Sequence, residues 1–172
     1  LSCRIETLVP DFRGRTESLE TVLAARPDVL NHNLETVQSQ YRRARPGGNY
    51  VRALDLLRHA GQHDPRLTTK SGLMVGLGET REELIEALGD LRQVGCNIVT
   101  IGQYLRPSLA HLPVARFYHP DEFSALKQIA TDLGFGHVES GPLVRSSYHA
   151  HEQADALDAT GTSGIDEASG IA

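Results

Sequence analysis

The segment Ser71-Gly72-Leu73-Met74-Val75-Gly76-Leu77-Gly78-Glu79-Thr80, continued by residues 81–95, decides the fold. Its first half is a short apolar run ending in glycines, which reads as a buried strand entering a turn. Its second half reads as a helix. Thr80 and Glu83 form a capping box, Leu84, Ile85, Leu88 and Leu91 recur at helical spacing, and Gly95 ends the run. A strand feeding a helix through a tight polar turn is one βα unit.

The same unit recurs outward from this segment. Strand-like stretches at 5–9, 29–32 and 97–101 join the one at 71–75, and helical patterns separate them. Over 49–60, Tyr50, Ala53, Leu54, Leu57 and Ala60 share a face and Gly61 stands where a helix would stop. After Pro120, Phe123, Leu126, Ile129, Ala130 and Leu133 point inward and Gly134 closes the helix. About four strands separated by helices imply a parallel sheet, because a parallel crossover needs a connection of that length. A barrel and a doubly wound sheet both satisfy this pattern.

The 172 residues are 40% hydrophobic and 23% charged, enough apolar material for the core of one α/β domain, expected over 1–153. Residues 154–172 lack any apolar period and are expected to be a disordered tail. A net charge of -5 with no basic stripe, and no tryptophan for base stacking, argue against nucleic acid as a partner. No apolar run approaches membrane-spanning length. Cys3 and Cys96 are too far apart in sequence to suggest a disulfide framework or a self-contained zinc site, so a reducing, cytoplasmic compartment is expected. The start, Leu1-Ser2-Cys3, has no signal-peptide layout and reads as a cut amino terminus.

In parallel α/β folds ligands gather at the carboxyl ends of strands, so the polar residues there are the candidates. Four clusters follow the strands directly: Pro10 to Gly14, Asn31-His32-Asn33-Leu34-Glu35, Gly76 to Thr80, and Gln103 to Ser108. Taken singly, the second is a turn and helix cap as readily as a hydroxyl-binding site, and the third is a plain strand and turn. The third lacks the Lys-Ser/Thr ending of a phosphate loop and the spacing of a dinucleotide fingerprint. Asp11 and Glu79 suit an acid and base pair, although strand-end carboxylates more often cap helices or bind backbone. Lys70 precedes its strand on this reading. Arg145-Ser146-Ser147-Tyr148-His149 is a dense polar set between the last helix and the tail, with a surface ion pair and local turns as the plainer reading. His149 and His151 lack a third metal ligand and read as solvated.

In order, Leu8 to Gly14, Asn31 to Glu35, Thr69 to Thr80, Gly102 to Leu105 and Arg145 to Ala150 closely resemble the lipoyl synthase family of radical S-adenosylmethionine enzymes. The resemblance spans roughly residues 5 to 151. It implies a partial (βα)6 TIM-like barrel, of which this chain would supply the carboxyl-terminal portion. It also implies insertion of two sulfur atoms, at the sixth and eighth carbons of an octanoyl chain carried on a protein lysine.

Two 4Fe-4S clusters are implied. One binds and cleaves S-adenosylmethionine, and an auxiliary one is consumed as sulfur donor. The family's serine ligand to the auxiliary cluster falls on Ser147, and an oxygen ligand among thiolates suits an iron that must open. Arg145 would orient that segment or polarise the cluster region. Asn31, Asn33, Glu35, Gly72, Met74, Gly76, Glu79 and Gln103 would surround S-adenosylmethionine. Implied partners are octanoylated lipoyl carrier proteins, namely the glycine cleavage H protein and the carrier domains of 2-oxoacid dehydrogenases. An electron donor such as ferredoxin or flavodoxin is also implied. The cellular site would be the cytoplasm, or the mitochondrial matrix in a eukaryote.

One departure is large. The family's cluster cysteines lie in its amino-terminal half, and neither Cys3 nor Cys96 matches one, so the chain alone is expected to be inactive. A non-catalytic half-barrel module that binds a carrier domain is the alternative from another class. Missing first strands would leave a sheet edge and apolar helix faces uncovered. The isolated chain is therefore expected to be poorly stable, and a cooperative unfolding transition at high solubility would contradict this.

Overall fold

The computed structural model describes residues 3–145. Five strands, β1 (Glu6–Leu8), β2 (Val29–Asn31), β3 (Thr68–Val75), β4 (Ile98–Gln103) and β5 (His137–Gly141), form one sheet in the order β1-β2-β3-β4-β5. Every pairing is parallel. The helices are α1 (Thr16–Ala24), α2 (Tyr41–Ala44), α3 (Tyr50–His63), α4 (Arg81–Gln93) and α5 (Pro120–Asp132).

This order resolves the choice left open by the sequence. A doubly wound sheet reverses its strand order at a switch point, whereas strands paired strictly in chain order do not. With right-handed crossovers, all helices then fall on one face. The result is an open arc of the βα-barrel type, consistent with a partial TIM-like barrel.

The helix-side face carries the core. Leu73, Val75, Val99, Ile101 and Val138 pack against Leu54, Leu57, Leu84, Leu88, Leu91, Phe123 and Leu126. Each such side chain contributes about 1.5–3 kcal/mol on burial. A second cluster joins β2 to α1 and α3 through Leu19, Leu23, Leu30, Leu56 and Ala60. The capping box at Thr80 and Glu83 is formed, and Gly95 and Gly134 sit at positive φ as helix stops require.

Several expectations need correction. There are five strands in the described residues rather than about four, because β5 has a single buried apolar residue, Val138, and otherwise polar or small ones. Strand β3 starts at Thr68, so Lys70 lies inside it. Helix α3 runs through Gly61, which packs near the Thr69 methyl of β3, to His63, and it ends at extended Asp64. Ala87 rather than Ile85 completes the buried stripe of α4, and Leu133 is 38% exposed at the end of α5. The expected tail lies outside the described residues.

The face away from the helices is polar. Alternation puts Lys70, Gly72 and Met74 there, beside Ile98, Thr100 and Gly102 in register. Lys70 is fully buried, and its ammonium lies 2.9 Å from Glu6 Oε2, while Glu6 Oε1 accepts from Asn31 Nδ2 at 2.8 Å. This bond set pins the three-residue edge strand β1 to β3 across β2. Removing one partner of a buried pair leaves an uncompensated charge, so Glu6→Ala should cost about 3–5 kcal/mol. The double variant Glu6→Leu/Lys70→Met should recover most of that loss. Urea unfolding of the three proteins checks both expectations.

Candidate functional site

A cleft of about 700 Å³ opens at the carboxyl ends of β2, β3 and β4, within the volume range of small-molecule sites. One side is polar: Asn33, Glu35, Arg43 and Arg45 from the segment after β2, and Thr100 from β4. The other is apolar: Leu77, and Leu105, Leu112 and Pro113 from the loop between β4 and α5. Gly72, Met74 and Gly102 form the floor, and Val144 and Arg145 close one end.

Glu35 is the most constrained residue of this set. It adopts φ +72, the left-handed region that costs a side-chain-bearing residue about 1–2 kcal/mol. Its backbone is held there by the β3 edge: its N–H donates to the Gly72 carbonyl (2.9 Å) and its carbonyl accepts from Met74 N–H (2.8 Å). Burial raises its carboxyl pKa, against the opposing pull of the Arg45 guanidinium and Asn33. Arg45 is itself tied in place by donation to the Asn33 carbonyl at 2.7 Å.

Asn33 Oδ1 is buried and accepts no hydrogen bond within the described structure. It hangs over Gly72: a methyl group added there would come within 2.8 Å of it and 3.0 Å of Thr100 Oγ1. At the neighbouring floor position, a methyl on Gly102 would strike the Val144 carbonyl. Glycine at both positions therefore lets the Asn33 side chain and the Val144 backbone lie directly against the strands. An unused acceptor, a carboxylate and guanidinium groups facing an apolar wall suit a ligand with hydroxyls, a carboxylate and a flat apolar ring.

The expected site residues distribute unevenly. Asn33, Glu35, Gly72, Met74, Gln103 and Arg145 line the cleft. Asn31 lies below it, engaged with Glu6. Gly76 and Glu79 lie behind the apolar wall, where both Glu79 oxygens accept from Gly76 and Leu77 N–H groups and one from the Tyr118 hydroxyl. Ser147, with His149 and His151, falls outside the described residues. Asp11 holds Arg52 at the mouth of a different pocket, so it and Glu79 do not form a pair. Arg43 and Arg45 were not singled out from sequence; three arginines within Arg42 to Arg45, in the segment between the Asn-His-Asn-Leu-Glu turn and α3, were the available signal.

Neither cysteine is at the cleft. Cys96 is buried between α4 and β4, its thiol shared between the Thr69 and Ile98 carbonyls and pushed up to about 12 by burial. Cys3 is exposed, and no group of three or more candidate metal ligands converges among the described residues. Among those residues no helix is long and apolar enough to cross a membrane.

The raised Glu35 pKa has a definite sign for stability. Below the ordinary glutamate range the group is protonated in both states and contributes no penalty; above its raised folded pKa the penalty is complete. Glu35→Gln should therefore melt higher than the parent at neutral pH. That difference should shrink as pH falls into the ordinary carboxylate range, and melting temperature against pH checks it.

A family model for the radical SAM superfamily matches residues 2–91, which include β1 to β3 and the cleft residues Asn33, Glu35, Arg43 and Arg45. The chain is 58% identical over 153 residues to the lipoyl synthase of Koribacter versatilis, covering 89% of this chain and 50% of that protein. Identity is 55% to the Rubrobacter xylanophilus lipoyl synthase, over 89% of this chain and 48% of the relative. It is 59% to that of Shewanella amazonensis, over 88% and 47%. The chain thus spans about half the length of the curated relatives it matches. With a parallel βα arc, a polar cleft at its strand ends and a family model matching over half its length, this chain belongs to the radical SAM superfamily.

Proposed function

We propose that the cleft binds S-adenosylmethionine and that the chain is the carboxyl-terminal portion of a lipoyl synthase. The observation that carries this reading is the pairing of the unpartnered Asn33 acceptor and strained Glu35 with Arg45, opposite an apolar wall. Asn33 and Glu35 would accept from the ribose hydroxyls, Arg45 with Arg43 would hold the carboxylate, and Met74 and Gln103 would border the adenine over Gly72. Asn31, Gly76 and Glu79 would shape the site from below and behind. In this reading the enzyme inserts two sulfur atoms into the octanoyl chain of a lipoyl carrier protein, with a ferredoxin or flavodoxin supplying electrons in the cytoplasm.

S-adenosylmethionine would supply the hydrogen-abstracting radical fragment in that chemistry. The 4Fe-4S clusters, two in this reading, do not fit the residues present: the chain has two cysteines, one of them a buried thiol and the other exposed. Arg145, at the cleft's end with its guanidinium donating to the Val144 carbonyl, would hold the start of the segment that carries Ser147.

Joined to the part of the Koribacter versatilis protein that it does not cover, the chain should convert an octanoylated carrier protein to its lipoylated form, and alone it should not. Mass spectrometry of the carrier reads both. Loss of activity in the joined protein with retained iron and folding would point instead to a binding module. In the chain alone, Asn33→Ala should weaken S-adenosylhomocysteine binding about tenfold in calorimetry, the worth of one or two hydrogen bonds.

A further inference from the structure

The loop from Tyr104 to His119 has no regular structure, yet its exposed middle supplies the apolar wall of the cleft. What fixes it is a buried polar knot. The two amide hydrogens of Gln103, at the end of β4, are shared among the carbonyls of Val75 (3.1 Å), Tyr104 (3.2 Å) and Arg116 (3.1 Å), and its amide oxygen accepts from Tyr118 N–H (3.0 Å). Both ends of the loop are therefore tied to one side chain. Ala115 N–H adds a bond to the Gly76 carbonyl at 2.8 Å, and the Tyr104 hydroxyl reaches the Leu112 carbonyl at 2.9 Å.

The knot continues into the turn after β3. The Tyr118 hydroxyl donates to Glu79 Oε1 at 2.8 Å, and Glu79 accepts Gly76 N–H at 2.6 Å and Leu77 N–H at 2.9 Å. Glu79 is 8% exposed, so it is a buried carboxylate compensated by three donors. Burial, with the Glu79 carboxylate beside it, raises the pKa of the Tyr118 phenol, which keeps it a donor. On its outer side the Tyr118 ring is covered by Arg116, whose guanidinium is 3.5 Å from the ring centroid and paired with Glu122. Gly76, at φ +98, leaves the space that the Gln103 amide occupies; any side chain there would collide with that amide and with the Arg116 carbonyl.

We propose that Tyr118 and Glu79 are positioning residues that latch the Tyr104 to His119 loop onto the Gly76-Leu77-Gly78 turn, holding Leu77, Leu105 and Leu112 as a preset wall for a purine-sized ring. This inference rests on the proposed S-adenosylmethionine site and deepens it. Glu79 and Gln103 act on the ligand through the wall they hold, since their polar atoms are already engaged. A wall set before the ligand arrives removes the cost of ordering a loop on binding.

The test uses the chain with S-adenosylhomocysteine as probe. Tyr118→Phe keeps the ring against Arg116 and Phe123 and deletes the latch hydroxyl; affinity by calorimetry should fall about tenfold, with faster hydrogen exchange at 105–113. Glu79→Gln should lose at least as much, and the double variant should lose little beyond that, because the two residues form one interaction. Leu56→Ala, in the far cluster, is the control: it should lower the melting temperature without changing affinity. A folded Tyr118→Phe protein with parental affinity, or a Leu56→Ala protein that loses affinity equally, overturns the latch. Absence of binding by the parent chain itself overturns the proposed S-adenosylmethionine site instead.

Discussion

Pairing five parallel strands in chain order confines their right-handed crossovers to one face, and the rest of the structure follows from that constraint. The helices cover one side of the sheet with a continuous apolar core. The other side is relieved of that duty and carries Lys70, Glu6, Asn31, Thr100 and the His137 and Glu139 pair, which are 3.0 Å apart. Polar groups buried in such a face must satisfy one another, and the Lys70 to Glu6 ion pair with its Asn31 bond does so at the base of the arc. The side-chain oxygens of Asn31 and Asn33 are exceptions: neither has a partner among the described residues, and that of Asn33 lies where the cleft begins.

The same constraint places strain at the cleft. The chain leaving β2 must turn along the end of β3, and it does so through Glu35 in a left-handed conformation fixed by Gly72 and Met74. A glycine would relax that turn but would carry no carboxylate. Backbone strain, a raised carboxyl pKa and an unused amide oxygen therefore coincide within three residues, as they do at sites where binding repays a local cost. Across the cleft the energetics are of another kind. The apolar wall stands on a loop of low intrinsic order, held by the Gln103 amide and the buried Glu79 carboxylate.

Local signals were legible in the sequence and long-range compensation was not. Thr80 and Glu83 announce the start of α4 because a capping box is made within four residues. Leu57, Leu84, Leu88 and Phe123 announce their faces because helical spacing is local too. By contrast, β5 hides because its inward residues His137 and Glu139 satisfy each other, so the segment lacks an apolar pattern. Lys70 reads as a residue outside its strand until Glu6, sixty-four positions away, is seen to compensate it. Gly61 reads as a stop because glycine often ends helices, yet α3 continues two residues further to His63. The ordered motifs disclosed Asn33, Glu35, Gly72 and Met74 as cleft residues, but Arg45 and Tyr118 emerge only when the loops around the strand ends are assembled.

Met74 is the only methionine in the chain, and it lies on the cleft floor between the polar and apolar sides. Its methyl resonance is therefore a single reporter inside the proposed ligand site. On titration of the labelled chain with S-adenosylhomocysteine, that resonance should shift saturably, and the shift should be abolished by Asn33→Ala. A Met74 methyl signal that stays unmoved through the titration, in a folded chain, would contradict the assignment of this cleft to S-adenosylmethionine.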